Sequence, residues 1–382
     1  MAFPIPRTLF EPEHEQFRES LGRFLEAEVL PNLGRYEAQG FIDREVWRKG
    51  GAAGFLCPTM PEEYGGAGAD RRYSVVVFEE TARRGAVGLL GWSLHSDIVA
   101  PYLLHYGAEE VKRAWLPRMA TGEAIGAIAM TEPGAGSDLQ SIATRAVRDG
   151  DHYRLSGSKT FITNGWHCDL VVVAAKTDPA QGARGTSLFV VDTASPGFTK
   201  GRPLEKVGLK AQDTAELFMD DVRVPAANRL GEEGRGFACL MQELPWERLQ
   251  IAITAVALAE GVLEETIAYC RDRKAFGKPL LDFQNTRFAL AEAKTELQAA
   301  RVFVDRCIEL VLAGTLDAAT ASMAKYWCSD LQCKVIDACV QLHGGNGYMR
   351  EYAVARAWAD ARASRIYGGT NAIITEVVQG SL

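Results

Sequence analysis

Apolar residues in the first third of the chain recur at helical spacing. The stretch EPEHEQFRESLGRFLEAEVLPNL places Phe17, Leu21 and Val29 on one face, and Pro31 ends the run. SDIVAPYLLHYG and AEEVKRAWLPRMATG have the same amphipathic character. The pattern predicts an α-helical N-terminal domain, residues 1–124.

The pattern changes near residue 125. Short runs rich in Val, Phe and Thr follow, among them KTFIT, DLVVVAAKTD and TSLFVVD, separated by DG, SG and NG turn signals. This predicts a middle β domain, residues 125–235. Long helical runs return afterwards, with Ile251, Ala255, Leu258 and Val262 on one face. Residues 236–382 are therefore predicted to be a C-terminal helical domain, which makes the fold class α+β.

The composition disfavours several kinds of function. The 382-residue chain has a net charge of −7, which disfavours generic binding to nucleic acid or to anionic membranes. Its eight cysteines form no CxxC pair, and its six histidines form no HExxH motif, so we expect no metal site. The longest apolar runs are too short to span a membrane, and the N-terminus has no apolar leader. We expect a cytoplasmic protein without stable membrane insertion.

Two polar stretches are candidates for ligand binding. MTEPGAGSD (130–138) combines hydroxyls with a bend, which suits either an edge loop of a β domain or a flat ligand with carbonyl and ring-nitrogen acceptors. RDRKAFGK (271–278) is strongly basic, which suits either a solvated helix end or a phosphate contact. GEEGRG (231–236) has the wrong spacing for a dinucleotide-binding fingerprint.

Two carboxylates lie near the start of an apolar helix, in QELPWERL (242–249). Glu243 and Glu247 suit a helix N-terminus, where acidic side chains complement the dipole. A general base would instead need a carboxylate on a wall that excludes water. Trp246 and the apolar run after it make the second interpretation possible.

Seven collinear motifs resemble the acyl-CoA dehydrogenase flavoprotein family. They are AMTEPGAGSD, GSKTFITNG, GLKAQDTAELFMDDVRVP, LPWERLQIA, RDRKAFGKPLLDFQ, QLHGGNGYMREY and RIYGGTNAI, and they cover essentially the whole chain. MQELPWERL and IYGGTN are most similar to the long-chain branch. The resemblance implies an N-terminal α domain, a middle β-barrel-like domain, a C-terminal four-helix bundle and a homotetramer.

The resemblance also implies FAD and residues that contact it. Thr131 is expected near N1/O2 of the flavin ring, and Ser137 on the same loop contacts cofactor and substrate. Phe161 is expected to pack on the flavin, Thr163 to lie near N5, and Thr370 to contact the cofactor.

A second group is expected to meet the FAD of an adjacent subunit or its adenosine end. Arg273 would lie at the pyrophosphate with Phe276 beside it. Gln341 and Gly345 would line the adenosine end, with Gln284 nearby.

The chain departs from the commonest family pattern at one place. Many members read Tyr-Glu-Gly-Thr where this chain has Tyr367-Gly368-Gly369-Thr370, and that Glu is their catalytic base. In the long-chain and isovaleryl branches the base is a Glu followed by Arg. That pair corresponds to Glu247 and Arg248. Glu247 is therefore expected to be the base, and Arg248 to contact substrate and to hold or tune the base.

The reaction implied is α,β-dehydrogenation of an acyl-CoA thioester to a trans-2-enoyl-CoA. Glu247 removes the α-proton, a β-hydride passes to flavin N5, and the backbone N–H of Gly368 binds the thioester carbonyl. Electrons are expected to leave through electron-transfer flavoprotein. Two alternatives are an acyl-CoA oxidase-type flavoenzyme and a non-catalytic binding relative on the same scaffold.

Overall fold

The structure is a computed structural model that describes residues 5–381. Its α-helices are α1 (Pro12–Phe24), α2 (Leu33–Gln39), α3 (Arg44–Ala52), α4 (Arg71–Arg83), α5 (Leu90–Leu94), α6 (Ala100–Tyr106), α7 (Glu109–Ala120), α8 (Gly236–Asp272), α9 (Gln284–Leu312), α10 (Ala318–His343), α11 (Ala353–Ala361) and α12 (Asn371–Gln379). Its strands are β1 (Gly126–Ala129), β2 (Arg145–Asp149), β3 (His152–Thr163), β4 (Leu170–Lys176), β5 (Thr186–Asp192), β6 (Phe198–Lys200), β7 (Thr214–Pro225), β8 (Arg229–Leu230), β9 (Lys274–Ala275) and β10 (Lys278–Pro279).

Helices fill the chain up to the end of α7. Asp70 is the N-cap of helix α4: its side chain accepts a 2.8 Å hydrogen bond from the backbone N–H of Arg72. A π-helical turn, His95–Val99, joins α5 to α6. Such turns rotate the residues that follow them, here including Tyr102.

The middle of the chain forms one twisted sheet in the order β6-β7-β3-β2-β4-β5-β8, with β1 pairing in parallel beside β4. Strand β4 is buried along its whole length, which explains its unbroken apolar sequence. Strands β3 and β7 pair antiparallel with a register shift between Lys159 and Ile162. This bulge redirects the side chains of β3 at its C-terminal end.

The C-terminal helices pack around α8, whose 37 residues make it about 55 Å long. Helices α8, α9 and α10 share one apolar core with α4 of the N-terminal region. Arg301 on α9 crosses that core, donating 2.7 Å hydrogen bonds to Glu79 on α4 and Glu260 on α8. The predicted α+β class, with a helical region, a sheet and a helical region in chain order, is confirmed.

Among residues 5–381, no helix is both long enough and apolar enough to cross a membrane.

Candidate active site

Glu247 lies near the start of the fourth turn of α8, and it is buried, with 7% of its surface exposed. The hydroxyl of Tyr102 on α6 donates a 2.9 Å hydrogen bond to its Oε1 atom. The two residues are 145 positions apart in the chain. The packing of α6 on α8 therefore places a hydrogen-bonded carboxylate in the interior of the protein.

Burial raises the pKa of Glu247 to about 7. The Tyr102 hydrogen bond opposes that rise, the negative charge of Glu243 adds to it, and the guanidinium of Arg248 lowers it. The net effect is a carboxylate that can both accept and release a proton near neutral pH. General acid–base catalysis is most efficient when the pKa lies near the working pH.

A second tyrosine–glutamate pair lies one turn away. Tyr106 donates a 2.9 Å hydrogen bond to Glu243, and His105 Nδ1 lies 2.8 Å from the same oxygen atom. Burial works to raise the pKa of Glu243, but the hydrogen bond with His105 and that residue's charge lower it below its ordinary value. Glu243 is thus held ionised by polar partners near the surface, whereas Glu247 has the elevated pKa expected of a base.

The Gly368–Gly369 turn faces α8 one turn beyond Glu247. Both glycines have positive φ angles, +67° and +91°, which side chains rarely adopt. A Cβ atom at Gly368 would lie 2.4 Å from Cδ1 of Ile251, four residues after Glu247. Within residues 5–381 the backbone N–H of Gly368 makes no hydrogen bond. This donor is therefore available to a ligand beside α8.

Two buried cations flank this turn. Lys325 on α10 is fully buried, and its Nζ donates to the carbonyl of Gly369 at 2.7 Å and to Oδ1 of Asn371 at 2.8 Å. Burial lowers the pKa of Lys325 to about 8. Arg248 donates a 3.0 Å hydrogen bond to Ser322, and its Nη2 is 3.9 Å from the Cβ position of Gly369. Lys325 thus holds the turn from the α10 side, and Arg248 of α8 lies against it.

The sheet forms a polar wall in which two predicted motifs meet. The backbone N–H of Thr160 donates a 3.0 Å hydrogen bond to the carbonyl of Thr131, so MTEPGAGSD lies beside KTFIT. Phe161 sits at the bulge of β3 with φ +59° and 69% of its surface exposed. A bulky residue in this conformation is an outlier that suggests function. Thr131 and Thr163 are half-buried, and neither hydroxyl is hydrogen-bonded within residues 5–381.

A buried ion pair holds the Thr131 loop of this wall in place. Lys159 is fully buried, and its Nζ donates to Glu132 at 2.8 Å and to the carbonyl of Met130 at 3.0 Å. Glu132 also accepts the backbone N–H groups of Ala143 and Thr144. The pair fixes the loop that carries Thr131, while Ser137, farther along the same loop, is exposed. Thr370 caps α12 by accepting a 3.4 Å hydrogen bond from Ile373.

The remaining predicted residues lie at the other end of α8. Arg273 follows its last residue, about 39 Å along the helix axis from Glu247. The β9–β10 hairpin there carries Phe276 at its tip with φ +51° and 97% exposed. Gln341 and Gly345 lie at this end because Tyr269 of α8 stacks on His343 of α10, with ring centroids 4.1 Å apart. Gln284 opens α9 and is also exposed.

The predicted residues at the C-terminal end of α8 therefore form a cluster separate from Glu247 and Gly368. Within one chain, α8 is too long for both to reach the same point of a ligand. Three residues near Glu247 or the Gly368–Gly369 turn were not predicted as site residues: Tyr102, Ile251 and Lys325. Tyr102 and Tyr106 match the four-residue spacing of Glu243 and Glu247, and this was the only sequence signal for the pairing.

Within the described part of the chain, no group of three His, Cys, Asp or Glu side chains could hold a metal ion. The described residues offer a buried carboxylate with a raised pKa, a backbone donor without a partner within residues 5–381, and a polar wall with an outward-facing aromatic ring.

Comparison with known proteins accounts for nearly the whole chain. Three family models match it: the acyl-CoA dehydrogenase N-terminal domain at residues 11–123, the middle domain at 127–222 and the C-terminal domain at 234–382. The long-chain specific acyl-CoA dehydrogenase, mitochondrial, of Sus scrofa is 52% identical over 374 residues, which cover 97% of this chain and 87% of that protein.

Solved structures agree with the family models. The crystal structure of an acyl-CoA dehydrogenase from Geobacillus kaustophilus is 51% identical, covers 98% of this chain and 99% of its own, and superposes with a TM-score of 0.96. A structure named for the electron transferring flavoprotein of Acidaminococcus fermentans is 34% identical, covers 100% and 99%, and gives a TM-score of 0.93. The members of the matched family are FAD-dependent oxidoreductases of fatty acid β-oxidation. From its sequence and its fold, this chain belongs to the acyl-CoA dehydrogenase family.

Proposed function

We propose that this protein removes hydrogen from the α and β carbons of an acyl-CoA thioester, with Glu247 as the base. The observation that carries the proposal is a buried, hydrogen-bonded carboxylate with a raised pKa next to a turn whose backbone N–H is free. Loss of a proton next to a carbonyl needs such a base together with a donor for the developing oxyanion.

The polar wall of the sheet fits the flavin ring of FAD. A flavin ring needs an aromatic side chain to pack against and hydroxyls to hydrogen-bond with. Phe161 projects outward, and the hydroxyls of Thr131 and Thr163 have no partner within residues 5–381. Ser137 is on the loop that carries Thr131, and Thr370 follows the Gly368–Gly369 turn; in this proposal both border the flavin. When bound there, FAD would accept the hydride from the β carbon.

Glu247 accepts the α-proton in this mechanism. Its carboxylate is ionised in a large fraction of molecules near neutral pH, and desolvation makes the ion a stronger base than it would be in water. Tyr102 orients the carboxylate by donating to one oxygen, which leaves the other oxygen for the substrate. Arg248 lies beside the base on the substrate side.

Gly368 stabilises the thioester oxygen. A backbone donor needs no particular side chain, so the glycine at this position keeps the donor while it omits the carboxylate that many relatives carry. Lys325 holds the carbonyl of the next residue and keeps the turn in its positive-φ conformation. Pre-organised donors of this kind are worth about 3–4 kcal/mol in comparable sites.

The cluster at the C-terminal end of α8 belongs to the FAD of a neighbouring subunit in this proposal. All five of its residues are exposed in the single chain, namely Arg273, Phe276, Gln284, Gln341 and Gly345, and the ring of Phe276 is 97% exposed. Contact with a second copy would cover the ring and bring the arginine to the pyrophosphate. A homotetramer is the assembly that we propose.

The electron acceptor that we propose is electron-transfer flavoprotein. An oxidase would instead pass electrons directly to oxygen. Anaerobic titration of the FAD-loaded enzyme with octanoyl-CoA and hexadecanoyl-CoA should bleach the flavin absorbance, and reduced enzyme should reoxidise quickly with electron-transfer flavoprotein and slowly with oxygen. Absence of bleaching would refute a dehydrogenase, and fast reoxidation by oxygen would favour the oxidase.

A further inference from the structure

The proton that Glu247 accepts has to leave the protein before the next turnover. Glu247 is buried, and within residues 5–381 its carboxylate accepts one side-chain hydrogen bond, from Tyr102. Besides burial, three side chains shift its pKa: Tyr102, Glu243 and Arg248. These are the groups that face the carboxylate and could pass the proton on.

Two of these three groups cannot take up a proton. An arginine side chain is already protonated at neutral pH. Burial and the charge of Glu247 raise the pKa of Tyr102 well above its ordinary value, so its hydroxyl stays protonated. Burial works in the same direction on Glu243, but His105 and Tyr106 hold the pKa of that carboxyl group below its ordinary value. Glu243 is therefore ionised, and it is the one proton acceptor among the three.

Two tyrosine–glutamate pairs join α6 to α8 side by side. Tyr102 donates to Glu247, and Tyr106 donates to Glu243, each at 2.9 Å. The two tyrosine rings have their centroids 6.0 Å apart. Both carboxyl groups therefore face α6 one helical turn apart, with their Cβ atoms roughly 6 Å from each other. One water molecule is enough to carry a proton across such a gap.

Exposure to solvent increases from Glu247 outward. The side chain of Glu243 is 12% exposed, and that of His105, whose Nδ1 lies 2.8 Å from Oε1 of Glu243, is 43% exposed. The guanidinium of Arg71 is stacked 4.4 Å over the ring of Trp246, and its charge also opposes the effect of burial on the pKa of Glu243. These neighbours disfavour a protonated Glu243, so a proton that reaches it is released to water.

We infer that the α-proton leaves Glu247 through Glu243, which passes it to the solvent beside His105. The O–H bond of the Glu247 carboxyl group breaks as one forms on Glu243. Water then takes that proton, so both residues return to carboxylates and no electrons are exchanged. The inference rests on the proposed function, because the proton is the one that Glu247 takes from the substrate. Reduction of the flavin in a single turnover does not need this exit, since the proton can stay on Glu247.

A substrate analogue separates removal of the proton from its exit. 3-Thiaoctanoyl-CoA has sulfur in place of the β carbon, so Glu247 can take its α-proton and return it, but no β-hydride can pass to the flavin. Its enolate should give a long-wavelength charge-transfer absorbance with oxidised flavin, which reports deprotonation. In deuterium oxide, mass spectrometry of the analogue reports how fast the proton on Glu247 exchanges with solvent.

Glu243→Gln tests the route. The FAD-loaded variant should still form the charge-transfer complex, but it should exchange the α-hydrogen for deuterium about tenfold or more slowly than the parent. The measurement is made near pH 9, because the substitution removes a negative charge that raises the pKa of Glu247 from its ordinary value to about 7 together with burial, the larger cause. At that pH Glu247 is ionised in both proteins.

The matched control is Glu265→Gln. It removes an exposed carboxylate from the same helix, about 27 Å along the axis from Glu247. Complex formation and deuterium exchange should both equal those of the parent. Slower exchange in this variant as well would assign the effect to the lost charge and overturn the inference.

The outcomes separate the two claims. If the parent neither forms the complex nor exchanges the α-hydrogen, the proposed function fails and the inference fails with it. If Glu243→Gln forms the complex and exchanges at the parent's rate, the proton leaves by another way and only the inference is overturned. Loss of the complex in Glu243→Gln would show that Glu243 is needed for deprotonation itself, which also overturns the inference.

Discussion

A Cβ atom at Gly368 would lie 2.4 Å from Cδ1 of Ile251, so a side chain at position 368 requires Ile251 to move. Ile251 is one turn after Glu247 on α8. The helix that carries Glu247 therefore also fills the space that a side chain at position 368 would need. The glycine is complementary in shape to α8 at Ile251.

Moving the base back to the turn tests this relationship. In Glu247→Gln/Gly368→Glu, the new carboxylate meets Ile251 and a φ of +67°, which costs roughly 1–2 kcal/mol for a side chain. We expect this variant to reduce its flavin at most weakly with octanoyl-CoA. Adding Ile251→Ala should raise the rate about tenfold or more. Glu247→Gln/Ile251→Ala, which lacks any base, is the control, and equal rates with and without Ile251→Ala would contradict the steric explanation.

The pH dependence of flavin reduction should follow Glu247. Only the ionised carboxylate accepts a proton, so the rate should rise with pH through about 7 and level off above it. Stopped-flow absorbance at saturating octanoyl-CoA measures this. Tyr102→Phe removes a hydrogen bond that lowers the pKa, so the midpoint should move to higher pH. A flat profile, or a midpoint that moves to lower pH, would refute the assignment.

Replacing one partner of the Lys159–Glu132 ion pair should destabilise the protein more than replacing both partners. Lys159→Met leaves a buried carboxylate without its cation, which should lower the free energy of unfolding by about 3–5 kcal/mol and release FAD. In Glu132→Gln/Lys159→Met the charge is removed as well, so the loss should be smaller than the sum of the two single losses. Urea unfolding and the flavin-to-protein absorbance ratio measure both effects, and strictly additive losses would contradict this prediction.

The exposed ring of Phe276 should act between subunits. Phe276→Ala removes no internal packing, since the ring is 97% exposed and its aromatic contact is the neighbouring Phe283 at 6.3 Å. We expect FAD retention and the population of the assembled form to fall, while the far-ultraviolet circular dichroism stays unchanged. Size-exclusion chromatography with light scattering would show this. The control is Phe288→Ala, a 63% exposed ring on α9. Normal FAD content and assembly in Phe276→Ala would exclude a role for the ring between subunits.

Periodicity predicted the order of helical and sheet regions because each element shows its buried face in its own sequence. Ile251 and Leu258 were recognised as one face of a helix in this way. The periodicity of one element does not show which other element packs against its buried face. Tyr102 and Glu247 are 145 residues apart, and Lys325 and Gly369 are 44 apart, so these pairings became visible only in the fold.

The same distinction applies to the site: its residues were predicted from local motifs, whereas their contacts are known only from the fold. Glu247 was identified from a family motif and from the missing carboxylate at Gly368. The structure adds its burial, which raises its pKa, and its hydrogen bond with Tyr102. The distance along α8 from Glu247 to Arg273 could not be predicted from the sequence either. Pro245 in QELPWERL is a residue type that commonly ends or kinks helices, whereas α8 continues through it.

The central claim is that Glu247 is the base, and Glu243 is its natural control because it lies one turn away with its own tyrosine. The most direct measurement is the anaerobic rate of flavin reduction by octanoyl-CoA in Glu247→Gln and in Glu243→Gln. Glu247→Gln should keep its FAD and lose roughly 10²–10⁴-fold in rate, while Glu243→Gln should stay within about tenfold of the parent. Reduction of the flavin in Glu247→Gln at the parent's rate would contradict the assignment.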